Sequence, residues 1–221
     1  MALQNRVRPS GEIVAHPSKA GLFMGNRGIL HGDDRTLGKS RWKHDHWIIC
    51  ALEFRGRKRE VMKSGRYTEL FFLDEAVALA AGHRPCAECR RSAFLAYQSA
   101  FELVDGGKIR ALAIDKTLHQ ARVHSRSREQ IRFEADLGAL PDGAMIMWEN
   151  EPWLFWGRSL LRYTPEGYDA VIEPRWSSAM PRRVTVLTPQ PTVKALRNGF
   201  EPVVHPSATM LLDQSFTTRQ R

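Results

Sequence analysis

The sequence predicts an α+β protein, and three observations carry that prediction. Short aromatic and β-branched runs bounded by Gly, Pro and Asn recur towards both ends, while amphipathic stretches with start and stop residues occupy the centre. Between them, a Pro-Cys-x-x-Cys turn at residues 85–89 marks a small metal-binding module. The chain is accordingly expected to divide into a zinc-binding strand–helix module with an N-terminal extension at 1–100, a helical connector at 101–139, a β-rich, barrel-like part at 140–206 and a tail at 207–221.

Roughly the first 45 residues, rich in Gly, Arg, Asp and His, read as loop with short strands. Gly25-Asn26-Arg27-Gly28 reads as a turn, because Asn and Gly tolerate positive φ, and Ile29-Leu30-His31 as the short strand after it. Residues 47–54 make a better strand, closed by a turn at Arg55-Gly56-Arg57-Lys58 and answered by Glu60-Val61-Met62 in a hairpin. A further aromatic strand covers 67–72. Asp74 is placed to cap a helix at 75–81 and Gly82 to stop it. Phe94, Leu95, Tyr97 and Phe101 are spaced for a longer helix at 90–101, ended by Asp105-Gly106-Gly107. Asp115 reads as the cap of a third helix that runs past His119 to about residue 128. Beyond a Pro141-Asp142-Gly143 turn, strands at 144–148, 153–156 and 184–187 suggest a partly closed barrel, and a short helix at 191–198 is stopped by Gly199.

Of 221 residues, 43% are hydrophobic and 26% charged, which argues against wholesale disorder. No run approaches the roughly 18 apolar residues of a membrane span, and the N-terminus lacks the apolar core of a secretory signal. A cytoplasmic protein without membrane association is expected. Lys and Arg number 33 against 24 Asp and Glu, a formal charge of +9. That excess fits a polyanionic partner, because a basic surface gains free energy by releasing counterions from nucleic acid. A solvated surface is the simpler account of the same charge.

The three cysteines, Cys50, Cys86 and Cys89, cannot all pair, and in a reducing compartment C-x-x-C means metal or redox chemistry. Pro85 stiffens the turn, and the flanking Arg84, Arg90 and Arg91 are expected to favour thiolate over thiol. A thioredoxin-like site would run an apolar strand directly into the cysteines. Here a short, glycine-stopped helix leads in, which favours metal.

Residues 71–89 comprise an aromatic strand, a short alanine-rich helix and Ala81-Gly82-His83-Arg84-Pro85-Cys86-Ala87-Glu88-Cys89. This segment resembles the second half of the zinc-binding module of Ada-type bacterial DNA repair proteins, a module that also accompanies assorted bacterial nucleases. The resemblance implies one zinc ion held structurally by two ligands from a preceding strand-turn and two from the C-x-x-C. In that family a C-x-x-x-C precedes the strand, and one of its cysteines accepts a methyl group from DNA. Here Cys50 stands alone in that region, so methyl transfer is not carried over. Relatives of the module place histidine at the first position, and His31, His44 and His46 are available for it. His46 and Cys50 have the matching spacing, but on an unbroken strand such residues stand about 13 Å apart. The ligand set taken from the resemblance is therefore Cys86, Cys89, Cys50 and His31, with His46 the substitute and His83 a weaker candidate.

Asp115 and His119 fall on one helical face, with Arg122 and His124 close by, an arrangement suited to proton transfer or to phosphate. A capping Asp and a surface His account for the pair more simply. Trp148, Trp153, Phe155, Trp156, Tyr163, Tyr168 and Trp176, interleaved with arginines, read as a base-stacking platform or, more simply, as barrel core. No phosphate-binding glycine loop, H-E-x-x-H or G-x-S-x-G is present. The expectation is a protein with a structural Zn2+ that meets nucleic acid, DNA above all, through Arg55, Arg57, Lys58, Arg84, Arg90 and Arg91. The alternative is a metal-dependent hydrolase, nuclease or DNA-modification enzyme using Asp115 and His119.

Overall fold

The computed structural model describes residues 2–57, 60–105, 107–173 and 181–218, and these residues form an α+β fold with two six-stranded sheets. The first sheet contains β1 (Gln4–Val7), β2 (Ile13–Ala15), β3 (Phe23–Asn26), β4 (Ile48–Ala51), β5 (Leu70–Phe72) and β6 (Arg84–Pro85), in the order β2-β1-β5-β3-β4-β6. Pairing is antiparallel except between β1 and β5 and between β4 and β6, which are parallel. Gly25 is part of β3, where a Cβ would meet the Ile48 carbonyl oxygen at 2.1 Å. The turn expected at 25–28 therefore begins later, and Gly28 takes the positive φ of 104°. Ile29-Leu30-His31 is not a strand; His31 makes an isolated bridge to Leu37. The 47–54 strand shortens to β4, and the chain leaves it through Arg55 and Gly56, both at positive φ. Nor does 60–62 return as a hairpin, because the Met62 N–H is donated to the buried Glu69 carboxylate at 2.7 Å.

Helix α1 (Glu75–Ala80) is buried along its whole length. A helix this short does not stand in water, so packing must supply its stability. Its ends are nevertheless written locally. Asp74 Oδ1 accepts the Val77 N–H at 2.9 Å, and the Gly82 and His83 N–H groups bond back to Leu79 and Ala78 in a Schellman turn with Gly82 at φ 85°. A Cβ at Gly82 would lie 2.6 Å from Cδ of Arg122, so the glycine serves packing as well as the turn.

Helices α2 (Arg91–Asp105) and α3 (Ala111–Arg122) both pack against α4 (Gln190–Arg197). Asp115 does not cap α3; it lies buried in mid-helix, and the cap position falls to Arg110, whose side chain makes no capping bond. The second sheet contains β7 (Phe133–Asp136), β8 (Met145–Trp148), β9 (Glu151–Trp156), β10 (Ser159–Thr164), β11 (Gly167–Ile172) and β12 (Arg183–Val186), in the order β11-β10-β9-β8-β12-β7. Its tight loops Glu149-Asn150 and Gly157-Arg158 have positive φ at both positions, the geometry that matches strand twist. This sheet is open rather than a partly closed barrel, with β11 and β7 at its edges among the described residues. Trp153, Phe155, Tyr163 and Tyr168 are buried in the core and Trp148 and Trp156 pack against it, so the aromatic run is core; Trp176 lies outside the described residues. The segment read as tail forms α5 (Pro206–Thr218), which packs on β11. One cluster of buried side chains runs from Val7 to Ala208 through both sheets, and α1 touches β5 and β8 within it. Among the described residues no helix is long and apolar enough to cross a membrane.

Candidate metal centre

Strand alternation decides where the cysteines go. Ile49, Leu70 and Phe72 belong to the main core, whereas Met24, Cys50 and Cys86 form a second buried cluster, with Ile48 and Phe71 against it. Successive residues of a strand face opposite ways, so Cys50 stands on the face of the first sheet turned away from the main core. The parallel pairing of β6 with β4 then brings the C-x-x-C to it: Pro85 stands beside Ile49, and the Cys86 N–H donates to the Ile49 carbonyl at 2.9 Å. Cys89 follows in the turn that leads to α2. The three sulfurs lie within 4.8 Å of one another. Thiolates on a tetrahedral zinc stand about 3.8 Å apart, given Zn–S bonds of about 2.3 Å, so the triad is already near the required spacing.

The electrostatics suit ligation. A hydrogen bond from Cys50 is the largest influence on Cys86, pulling its thiol down to about 5 against the cost of burial, with backbone N–H groups of Cys89 and Glu88 helping; the Glu88 N–H lies 3.4 Å from Cys86 Sγ. Cys89 is lowered by the same Cys50 donor and by the Ala51 backbone. Cys50, as that donor, is pushed up. The flanking arginines are not the cause. Arg84 gives its Nε and Nη2 to Asp115 at 2.8 and 2.7 Å, and Arg90 pairs with buried Glu75 and lies over the Phe23 ring.

His31 does not join the sulfurs. Its Nδ1 is 2.6 Å from Thr68 Oγ1 and its Nε2 3.3 Å from the Lys63 carbonyl, so both ring nitrogens are engaged elsewhere. His46, the substitute, precedes β4 and turns its Nδ1 to Asp115 Oδ2 at 2.9 Å. His83 is enclosed between Phe72, Trp47 and Arg27 and kept neutral by burial and by Arg27 and Arg122. Among the described residues, then, three Cys donors converge and no fourth His, Cys, Asp or Glu does.

Asp115 and His119 share a helical face but not a bond. The Asp115 carboxylate is taken by Arg84 and His46, while His119 Nδ1 sits 2.9 Å from Arg122. Of the expected nucleic-acid contacts, Arg84 is a buried ion-pair member, the partly buried Arg90 pairs with Glu75, Arg57 pairs with Glu88 at 2.7 Å, Arg55 and Arg91 are exposed, and Lys58 lies outside the described residues. The sequence reading missed a buried stack. The guanidinium carbons of Arg27 and Arg122 lie 4.0 and 3.9 Å from the ring of Trp47. Its only local signal was Arg122 beside His119.

Fold and site together define an α+β protein with a three-cysteine centre able to hold a metal ion. Comparison with family models, curated proteins and solved structures finds no match for the chain.

Proposed function

We propose that this chain is a zinc protein that binds nucleic acid. The observation behind the first half is the convergence of three sulfurs from β4 and the C-x-x-C turn, two of them inclined towards thiolate. Soft thiolate donors favour zinc over hard cations. Zinc bound there would join β4 to the turn by coordinate bonds, with water or an exogenous donor in the fourth position. The likeness of residues 71–89 to the Ada-type zinc module points the same way. Support for nucleic acid comes from the +9 charge and from exposed Arg55, Arg57 and Arg91.

Metal analysis of the purified protein is expected to give one zinc per chain, released on alkylation of Cys86 and Cys89. Anisotropy titrations with DNA and RNA across a salt series should give weak, sequence-tolerant binding whose log affinity falls by about 0.9 per phosphate contacted on duplex DNA. Metal-free protein with freely alkylated cysteines would refute the zinc assignment, and no binding at low salt would refute the nucleic-acid one. A second reading, a hydrolytic enzyme, has one observation in its favour. Buried Asp115 accepts a hydrogen bond from Nδ1 of half-exposed His46, which leaves Nε2 as the basic nitrogen. Phosphodiesterase activity abolished by His46→Ala would support it.

A further inference from the structure

We propose that the cleft between the N-terminal hairpin and the segment after α3 is a binding site for a phosphate group, carried by a nucleotide or by the end of a nucleic-acid strand. For the source of that phosphate the proposal rests on the nucleic-acid reading above.

The cavity has a volume of about 500 Å3, and Arg27, Arg41, Arg122, Arg128 and Arg132 line it. Against these five positive groups stand two carboxylates, Glu12 and Glu129, leaving an excess of three positive charges. Glu12 is itself partnered by Arg8 at 3.7 Å. A lone phosphate would leave much of such a volume empty, whereas a nucleotide suits a pocket of roughly 300–1,000 Å3. Trp42 also lines the cavity and offers an aromatic ring for a base, next to Trp47 at 5.7 Å between centroids.

How this fold treats its other enclosed arginines makes the case. Arg84 is buried against Asp115, and the partly buried Arg90 pairs with buried Glu75, the usual solution for a charge removed from water. Arg27 and Arg122 are 2% and 1% exposed, yet among the described residues neither has a carboxylate within 4.0 Å. Arg27 donates to the Gly11 carbonyl at 3.0 Å, to His83 and to Ala81; Arg122 donates to the Gly82 and Asp45 carbonyls at 2.8 and 2.7 Å. The carbonyls take up hydrogen bonds and the Trp47 face offsets the charge only in part; for Arg122, Asp115 and Asp45 act only from beyond ion-pair distance. Among the described residues, Nε of Arg122 is buried with no hydrogen-bond partner. Burial, and for Arg27 the neighbouring Arg122 and Arg41, lower both guanidiniums to about 9, which still leaves them cationic at neutral pH. Two desolvated cations, an orphaned N–H and three further arginines around one cavity call for an anion with several acceptor oxygens, and phosphate is the group that guanidinium forks match.

The arrangement is braced from the protein side. Gln130 Nε2 reaches the carbonyls of Pro9, Ala80 and Leu187 at 3.0–3.1 Å, tying the hairpin to the segment behind it.

The test uses the whole chain as purified, with tryptophan fluorescence and calorimetry at low salt. The probes are inorganic phosphate, AMP, adenosine, a single-stranded oligonucleotide with a 5′-phosphate, and the same strand with a 5′-hydroxyl. AMP is expected to bind at least tenfold more tightly than adenosine and to change tryptophan emission. A 5′-phosphate advantage on the strand assigns the site to strand ends; AMP binding without it assigns the site to free nucleotides; inorganic phosphate equal to AMP keeps the anion site and removes the base. Arg128→Ala and Arg132→Ala, exposed and outside the core, should each weaken AMP about three- to tenfold, and Arg27→Gln should abolish binding while circular dichroism reports whether it folds. No response to phosphate, AMP or the 5′-phosphorylated strand overturns the proposal, as does adenosine equal to AMP, even where duplex DNA still binds elsewhere. AMP binding in a protein that binds no DNA or RNA polymer upholds the pocket and defeats the nucleic-acid reading.

Discussion

At the scale of single residues, the fold depends on where buried charges find partners. Arg84 and Asp115 meet in a two-pronged bond with both side chains almost fully enclosed. Removing one member of such a pair strands the other, which typically costs about 3–5 kcal/mol. Arg84→Met or Asp115→Leu alone should therefore destabilise strongly in urea titrations, and the double variant should recover much of the loss; equal, additive costs would show that the two side chains act separately. The cysteines make a second residue-scale prediction. Replacing Cys50, Cys86 or Cys89 singly by Ser removes a donor, so zinc affinity should fall by more than the roughly 10–100-fold that loss of an outer-shell partner costs, read by competition with a chromogenic chelator. The C-x-x-C could be found in the sequence because its partners are contiguous. The Arg84–Asp115 pair, and the arginines on either side of Trp47, join residues far apart in the chain, and no periodicity or motif reports such meetings. His31 was misplaced for the same reason: its partners Thr68 and Lys63 follow from tertiary position.

At the scale of elements, α1 was legible because its signals are local, an N-cap Asp and a Schellman Gly. Helix α5 was not, since its sequence has few charges and no sharp apolar stripe. The cap has a pH consequence. Burial raises Asp74 to about 6, although the Val77 and His205 N–H groups and the Tyr168 hydroxyl oppose the rise. The native state therefore keeps a proton that the unfolded chain gives up near pH 4. This contribution is fully present below pH 4 and is lost as pH rises to about 6, each tenfold difference in proton affinity between the two states being worth roughly 1.4 kcal/mol. Asp74→Asn should remove that decline, so the stability difference between wild type and variant, from denaturant titrations at pH 4 and pH 7, should change with pH; a constant difference would refute it. Gly82→Ala should destabilise too, for it combines a positive φ with a Cβ pressed on Arg122.

At the scale of the molecule, the three-cysteine cluster and the main core lie on opposite faces of the first sheet. Chelation is therefore expected to act locally. Amide hydrogen exchange should accelerate at residues 48–51 and 86–90 and stay unchanged in β9 and β10, whose side chains belong to the other cluster; uniform loss of protection would show that the centre holds the whole fold.

The N-terminus of α1 carries one more implication, for the order of events as the chain leaves the ribosome. Glu75 donates its N–H to the Val203 carbonyl at 3.0 Å, its carboxylate accepts the Val203 N–H, and Asp74 Oδ2 accepts the N–H of His205. The most enclosed helix thus waits for residues made about 130 positions later. Until then its alanine-rich, apolar surface has no complete cover, and the nascent chain is at its most vulnerable to proteases and to its neighbours. The emergence of residues 203–205 is thus the point at which α1 can gain the partners of its first turn.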